Sequence, residues 1–324
     1  VGPSLNELLD NAHVVSLPLV TRFRALDVRE AMVIRGPKGW TEFSPFDDYS
    51  DEESIAWLRA AIEFGWEELP PVVRSRIPVN ATVPAVPAAD VDAVLARFPG
   101  SRTAKVKVAG PGSTLADDVE RVRAVRTALG AEGRIRVDAN GAWNVDEAEH
   151  AIHALAQFDL EYVEQPCASI PELAELRARV SYMGIPVAAD ESVRRESDPL
   201  EVSRVGAADI LVIKVQPLGG LSRALDIVRQ SGLPAVVSSA LDTSVGLAMG
   251  AHLAGALPDL EFDCGLGTAA LLAADVTDSP PLPVDGHIDV SRPEVSQELL
   301  ARHAASPERT SAWRERLSRV HALI

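Results

Sequence analysis

Cysteine, methionine and aromatic side chains are scarce in this chain: two cysteines, three methionines and 5% Phe, Trp and Tyr among 324 residues. Cys167 and Cys264 lie in unrelated contexts with no metal-ligand spacing, which excludes a disulfide scaffold and a thiolate metal cluster. A chain of this length buries enough surface to fold without covalent staples. Reduced thiols are expected, and neither cysteine is a candidate nucleophile. Basic residues are also in deficit, 31 Lys and Arg against 47 Asp and Glu, for a formal net charge of −16. A surface of that sign repels phosphate, so no nucleic-acid partner is expected. No apolar run approaches the ~20 residues of a membrane span. The first residues, Val1-Gly2-Pro3-Ser4, carry no basic segment ahead of an apolar core and read as a trimmed start. These absences predict a soluble cytoplasmic protein with no membrane association.

What is present is a run of short apolar strands, each ending in a charge. Residues 104–108, 135–140, 162–166, 187–192 and 210–214 are rich in Val, Ile and Ala, and each finishes on a charged side chain followed by loop chemistry. Buried parallel strands with functional tips read this way. From Lys107 to Asp138, Glu164, Asp190 and Lys214 the intervals are 31, 26, 26 and 24 residues. A strand, a helix and two loops need roughly 30 residues, so a βα repeat would carry all five charges to one end of one sheet.

Extended in both directions, the repeat gives eight strands, at 78–83, 103–108, 135–140, 161–165, 186–190, 209–215, 234–239 and 260–264. Helices are expected between them at 115–129, 145–157, 171–181, 198–205, 220–231 and 245–257. Asn144 is the expected N-cap of the second, and Pro171 fits the first turn of the third. Eight strands in so few residues predict a closed (β/α) barrel. Ahead of it, Val28 to Ile34, Gly36-Pro37-Lys38-Gly39 and the returning 40–43 form a hairpin signature, and Ser50 to Glu53 form a capping box for a helix. The tail from Pro280 holds a short strand near 288–290 and two helices, the second opened by Ser306-Pro307-Glu308. The expected organisation is an α+β capping segment at 1–75, a barrel at 76–275, and a segment at 276–324 that returns to the cap.

Barrel enzymes place their chemistry at the C-terminal strand ends, where these charges fall. Side chains alternate along a strand, so Lys105 and Lys107 share a face, as do Arg136, Asp138 and Asn140. Three carboxylates converging without a cation would repel one another and titrate upward. A hard divalent cation resolves this, and Mg²⁺ leaves room for water and a substrate carboxylate. A free lysine has a pKa near ~10.4 and is a poor base at neutral pH; a neighbouring ammonium and a metal would disfavour the charged form of Lys107. That is the direction needed to remove a proton next to a carboxylate.

At these residues the sequence resembles the enolase superfamily, and within it the muconate-lactonising subgroup. Lys-Val-Lys at 105–107, Asp138, Glu164, Asp190-Glu191 and Lys214 carry the resemblance, which covers nearly the whole chain. It implies a (β/α)7β barrel with an α+β cap and an Mg²⁺ ion held by Asp138, Glu164 and Asp190. Arg136-Val-Asp138-Ala-Asn140, Glu164-Gln-Pro166, Asp190-Glu-Ser192-Val-Arg194, Ser238-Ser239 and Gly265-Leu-Gly267-Thr268 narrow it to the subgroup's dehydratases of a succinyl-hydroxycyclohexadiene carboxylate in menaquinone synthesis. On that resemblance Lys107 is the base and then the acid of a syn elimination, and Lys214 is the electrostatic partner. Lys105 tunes Lys107, Arg136 and Asn140 contact substrate or Lys107, and Ser238, Ser239, Gly265 and Gly267 hold the succinyl carboxylate. Glu191 faces away from Asp190 and is expected to play a structural part. Trp40 and Phe46 are candidates for covering the mouth. N-succinylamino acid racemisation and muconate cycloisomerisation use the same constellation, and a non-enzymatic metal-dependent binding barrel requires that Lys107 and Lys214 be surface charges.

Overall fold

The computed structural model describes residues 2–23, 26–195 and 198–324. Three strands, β1 (Ala12–Phe23), β2 (Leu26–Gly36) and β3 (Gly39–Phe43), form an antiparallel sheet in the order β1-β2-β3. The hairpin expected at 28–43 is β2 and β3; the strand β1 and a short helix at Leu5–Asp10 were not expected as separate elements. The helix Asp51–Trp66 packs across this sheet. Ser50 caps it with a complete capping box, its side chain accepting from the Glu53 amide. Gly36 is required where helix and sheet touch, since a side chain there would meet the Gly65 carbonyl oxygen at 2.3 Å.

Next come β4 (Arg76–Pro78), β5 (Ala81–Val83), β6 (Thr103–Lys107), β7 (Arg134–Asp138), β8 (Leu160–Glu164), β9 (Val187–Ala189), β10 (Ile210–Ile213), β11 (Ala235–Val237) and finally β12 (His287–Asp289). The strands β5 to β11 form one seven-stranded parallel sheet whose spatial order follows the chain. The helices Leu115–Leu129, Val145–Leu155, Ile170–Val180 and Leu221–Ser231 lie between successive strands of it, and Ser244–Ala256 follows β11. Thr114, Asn144 and Ser169 each open their helix with a capping box. The helix expected at 198–205 is only Glu201–Arg204.

The strand expected at 260–264 is absent as a ladder. Its backbone pairs at one point on each side: Cys264 donates to the Pro78 carbonyl at 2.7 Å and accepts from Asn80 at 2.9 Å, while Gly265 donates to the Val237 carbonyl at 2.8 Å. The segment thus bridges the two edges of the sheet. The residues before it are partly exposed and Gly265 and Gly267 follow at once, so there is no run of paired residues to extend.

Alternation along the strands divides the side chains. Val106, Val137, Val163, Leu211 and Ile213 pack outward under the helices in the main core. Tyr162, Ala188, Ile210, Val212 and Val236 pack together on the inner face. In the tail, β12 pairs with β4, and the helix Pro307–His321 lies against Asp51–Trp66. There the Arg316 guanidinium donates to the carbonyls of Pro45, Phe46 and Tyr49, and the Trp313 indole donates to Glu30.

Candidate active site

The five strand-end charges and Lys105 meet at one end of the parallel sheet. Asp138 and Glu164 are register partners on β7 and β8. Asp190 and Lys214 follow β9 and β10 by one residue. All four are buried, with exposures of 3%, 0%, 0% and 3%. The Lys105 ammonium donates to both Glu164 oxygens at 3.0 Å and stands 3.8 Å from Asp138 Oδ2. Lys107 Nζ donates to Asp138 Oδ2 at 3.1 Å, and Lys214 Nζ to Asp190 Oδ2 at 2.6 Å.

The electrostatics reflect convergence. Burial pushes the Glu164 carboxyl up to about 7; Lys105 pulls against this, while the Asp138 and Asp190 charges add to it. Burial works against the Lys105 ammonium, but the Glu164 and Asp138 carboxylates outweigh it and hold the group charged. Three all-oxygen donors on neighbouring strand ends fit a hard divalent cation. The position of the Lys105 ammonium, bridging Asp138 and Glu164, marks where positive charge is stabilised. Among the described residues no three acidic, imidazole or thiol groups already surround one metal-sized centre. The ammonium groups of Lys105 and Lys107 stand against the carboxylates instead.

Two spaces open over this ring. An inner cavity of about 30 Å³ is lined by Lys105, Lys107, Asp138, Lys214, Ser238, Ser239 and Gly265, and also by Thr82, Leu241, Thr268 and Phe23. A larger cleft of about 1340 Å³ runs between cap and sheet, past Lys107, Asn140, Glu191, Arg194, Phe46 and Tyr49. Phe46 therefore lines the mouth, whereas Trp40 packs into a cap core.

The remaining expected residues separate. Asn140 adopts φ 47°, which lets its amide N–H reach Asp138 Oδ1 at 3.0 Å and its side chain reach Glu191 at 3.1 Å. Glu191 lines the cleft and pairs with Arg194 at 3.0 Å. Ser239 Oγ donates to the Gly265 carbonyl at 2.9 Å. Gly265 must lack a side chain, which would meet Ser238 Oγ at 2.5 Å. Gly267 lies away from the cavity, against the Asn80 carbonyl and the Phe98 ring.

Arg136 corrects the expectation that it meets substrate or Lys107. It is wholly buried one layer deeper, pairs with Glu161 at 2.7 Å, and donates to Tyr162 Oη at 3.1 Å and the Asp263 carbonyl at 2.7 Å. Arg136 shares the inward face with Asp138, but Glu161, the Tyr162 hydroxyl and the Asp263 carbonyl take its guanidinium below the cavity, whereas its register partner Lys105 reaches up to Glu164.

Several supporting groups were given no role from the sequence, although Gln165 and Arg194 stand in the motifs quoted there. Asp118 and Arg121, on the helix after β6, hold the turn beyond Lys107: Arg121 donates to the Lys107 carbonyl at 2.9 Å, and Asp118 accepts from the Ala109 amide at 2.8 Å. Gln165 accepts from the Asp190 amide at 2.9 Å and donates to Ser192 Oγ at 2.7 Å, fixing the loop that carries Asp190. Arg194 donates to Asp190 Oδ1 at 2.9 Å and also to the Tyr49 hydroxyl of the cap. Thr82 of the cavity wall was accessible to strand alternation; the bonds of Gln165 to Asp190 and of Arg194 to Tyr49 join segments distant in sequence.

The parallel sheet, the cap and the strand-end ring define a class, and comparison agrees. Residues 89–294 match the enolase C-terminal domain-like family and 14–65 the enolase N-terminal domain-like family, so the chain belongs to the enolase superfamily. Muconate lactonizing enzyme from Pseudomonas fluorescens, complexed with muconolactone, superposes with a TM-score of 0.76 at 20% identity, covering 91% of this chain and 98% of that one. N-succinyl Arg/Lys racemase from Bacillus cereus gives 0.75 at 17% identity, covering 91% and 97%. These two speak to fold alone. Within the superfamily the chain belongs with the o-succinylbenzoate synthases. It is 52% identical to that of Mycolicibacterium smegmatis, covering 99% of this chain and 98% of the relative, and 52% identical to that of Mycobacterium tuberculosis, covering 100% and 98%.

Proposed function

We propose that this chain catalyses the o-succinylbenzoate synthase reaction, the syn dehydration of 2-succinyl-6-hydroxy-2,4-cyclohexadiene-1-carboxylate to 2-succinylbenzoate in menaquinone biosynthesis. The observation that carries this is 52% identity over essentially the full chain to relatives of that name. In support, Lys107 and Lys214 face one cavity from strands four places apart in the sheet order. In this reading the curled sheet is the (β/α)7β barrel at 76–275, and segments 1–75 and 276–324 together form its cap.

Lys107, as the free amine, takes the proton next to the ring carboxylate, and the C–H electron pair becomes an enediolate. The Lys214 ammonium stabilises that charge from across the cavity. As the ring double bond forms, the C–O bond breaks on the same face, and Lys107 returns its proton to the departing hydroxyl as water. A bound divalent cation, Mg²⁺ by its preference for oxygen ligands, would be held by Asp138, Glu164 and Asp190 and supply positive charge opposite the substrate carboxylate. Lys105 then acts by its charge on Lys107, and Asn140 orients Asp138. Ser238, Ser239 and Gly265 form the wall that receives the succinyl carboxylate.

Protein stripped of metal by chelation and supplied with substrate should form product only after Mg²⁺ is restored. No product formation with Mg²⁺ present would overturn the assignment. No carboxylate follows Asp263 at this strand end, and Asp263 itself pairs with Thr103 and Arg134. A free-amine dipeptide should therefore show no α-proton exchange in deuterated buffer.

A further inference from the structure

A second buried charged cluster lies where the cap meets the loops after β10 and β11. Glu42, on β3, is wholly buried. Its Oε1 accepts from Ser44 Oγ at 2.6 Å and Gln216 Nε2 at 3.4 Å, and its Oε2 from Thr243 Oγ1 at 2.6 Å and the Gly246 amide at 2.9 Å. A cap carboxyl thus closes the N-terminus of the helix Ser244–Ala256. Gly246 makes this approach possible, since a side chain there would stand 2.8 Å from Glu42 Oε2.

Asp242 is the other acid of the cluster. It accepts from the same Gln216 amide at 2.9 Å and from the Ala240 amide at 3.2 Å. Gln216 follows Lys214 by two residues, so one side-chain amide ties both acids to the end of β10. On the opposite side, Arg29 of β2 donates to the Leu241 carbonyl at 3.1 Å and the Ser44 carbonyl at 2.6 Å. Leu241 holds φ 58° and forms part of the inner cavity wall. The charged groups facing the pair are Arg29 from the cap and Lys214 from β10. Asp275 lies at the same helix start, bonded to Ser244, with His303 beyond it.

We propose that Glu42 and Asp242 share one proton and form a latch between the cap and the loops bearing Lys214 and Leu241, which makes Glu42 a positioning residue for the reaction. The shared donor supports this: Gln216 Nε2 lies 3.4 Å from Glu42 Oε1 and 2.9 Å from Asp242 Oδ1, which brings two buried carboxyl groups onto one amide. Two carboxylates bridged by one amide repel when both are ionised, whereas a protonated Glu42 donates to the Ser44 or Thr243 hydroxyl and leaves Gln216 to Asp242. Burial and the Asp242 charge raise Glu42 to about 7, so the latch would change state in the neutral range.

The kinetic part of the test rests on the dehydratase reading; the unfolding part does not. The ratio of kcat between wild type and Glu42→Gln cancels the titration of Lys107 and reports on Glu42 alone. It should fall at least about fivefold between about pH 6 and pH 9 with the KM ratio nearly constant, and the fall should move to lower pH when both proteins also carry Asp242→Asn, because burial remains but the Asp242 charge does not. A ratio independent of pH, or one unaffected by Asp242→Asn, would overturn the latch, because a packing role does not titrate. Unfolding by denaturant provides the second arm. The stability of the wild type relative to Glu42→Gln should decline between about pH 4.5 and pH 7 and stay level above that, and a difference that is flat from about pH 4.5 to 7 would overturn the latch whether or not the protein dehydrates this substrate.

Discussion

Two buried charged layers lie on the same strands, one above the other, and they differ in what surrounds them. The lower layer is Arg136, Glu161, Tyr162 and Asp263: Arg136 finds a carboxylate, a phenol and a carbonyl within hydrogen-bond distance, and its guanidinium lies 4.7 Å from the centre of the Tyr162 ring. Among the described residues, this layer lines neither the inner cavity nor the cleft. The upper layer, Lys105, Lys107, Asp138, Glu164, Asp190 and Lys214, is buried to a similar degree yet opens on a cavity and a cleft. A charged layer in which the protein supplies the partners of the buried guanidinium holds the sheet together. An open one exposes charge that a ligand can take over.

The largest effects should come from the upper layer. Arginine keeps the charge but cannot act as a base at any ordinary pH. Lys107→Arg should therefore lose turnover by at least the roughly 10²–10⁴-fold of a general base, while Lys214→Arg retains measurable dehydration. Retained turnover in Lys107→Arg would move the base elsewhere. Asp138→Asn, Glu164→Gln and Asp190→Asn should each abolish activity at ordinary Mg²⁺ with the fold preserved, and unchanged Mg²⁺ binding by calorimetry in all three would remove the metal site.

Cutting into the lower layer should cost stability. Arg136→Met removes a wholly buried guanidinium and leaves the part-buried Glu161 with only Arg134 at 4.0 Å, a loss of about 1–3 kcal/mol in denaturant unfolding. A variant of wild-type stability that has lost turnover at unchanged KM would transfer Arg136 to the upper layer.

The cap contact should respond to pH. Glu42 is raised from its ordinary value to about 7, so the folded state holds its proton where the unfolded state has released it. Stability from this group is complete below about pH 4.5 and is lost as pH rises toward 7, on the order of 1–3 kcal/mol relative to Glu42→Gln. The smallest effect concerns the thiols. Burial pushes both Cys167 and Cys264 up to about 12, so neither should react with a thiol reagent near neutral pH until the protein unfolds.

Much of the ring was legible because it rests on local periodicity. A short apolar run marks each strand, and the βα interval repeats, so the end at which Lys107, Asp138, Glu164, Asp190 and Lys214 gather follows from spacing alone. Capping residues are equally local, and Ser50 and Asn144 stand where their neighbours required. Depth is harder to read. Strand alternation assigned Arg136 and Asp138 to the same face but carried no information on which layer the cavity reaches. The segment 260–264 looked like a strand by composition, yet a strand exists only where a neighbour presents a matching run of backbone groups.

The chain by itself therefore determined the order of strands and helices, the end of the sheet that carries charge, and the chemical types gathered there. All of these depend on residues close in sequence. Tertiary structure decided that Arg136 lies sealed beneath the site, that Gly267 turns away while Leu241 and Thr82 line the cavity, and that Arg194 joins Asp190 to Tyr49. It also brought Glu42 of the cap, 200 residues before Asp242, to the same Gln216 amide. Burial, and the partner set of a buried charge, are properties of packing between distant segments, and no local pattern of residues encodes them.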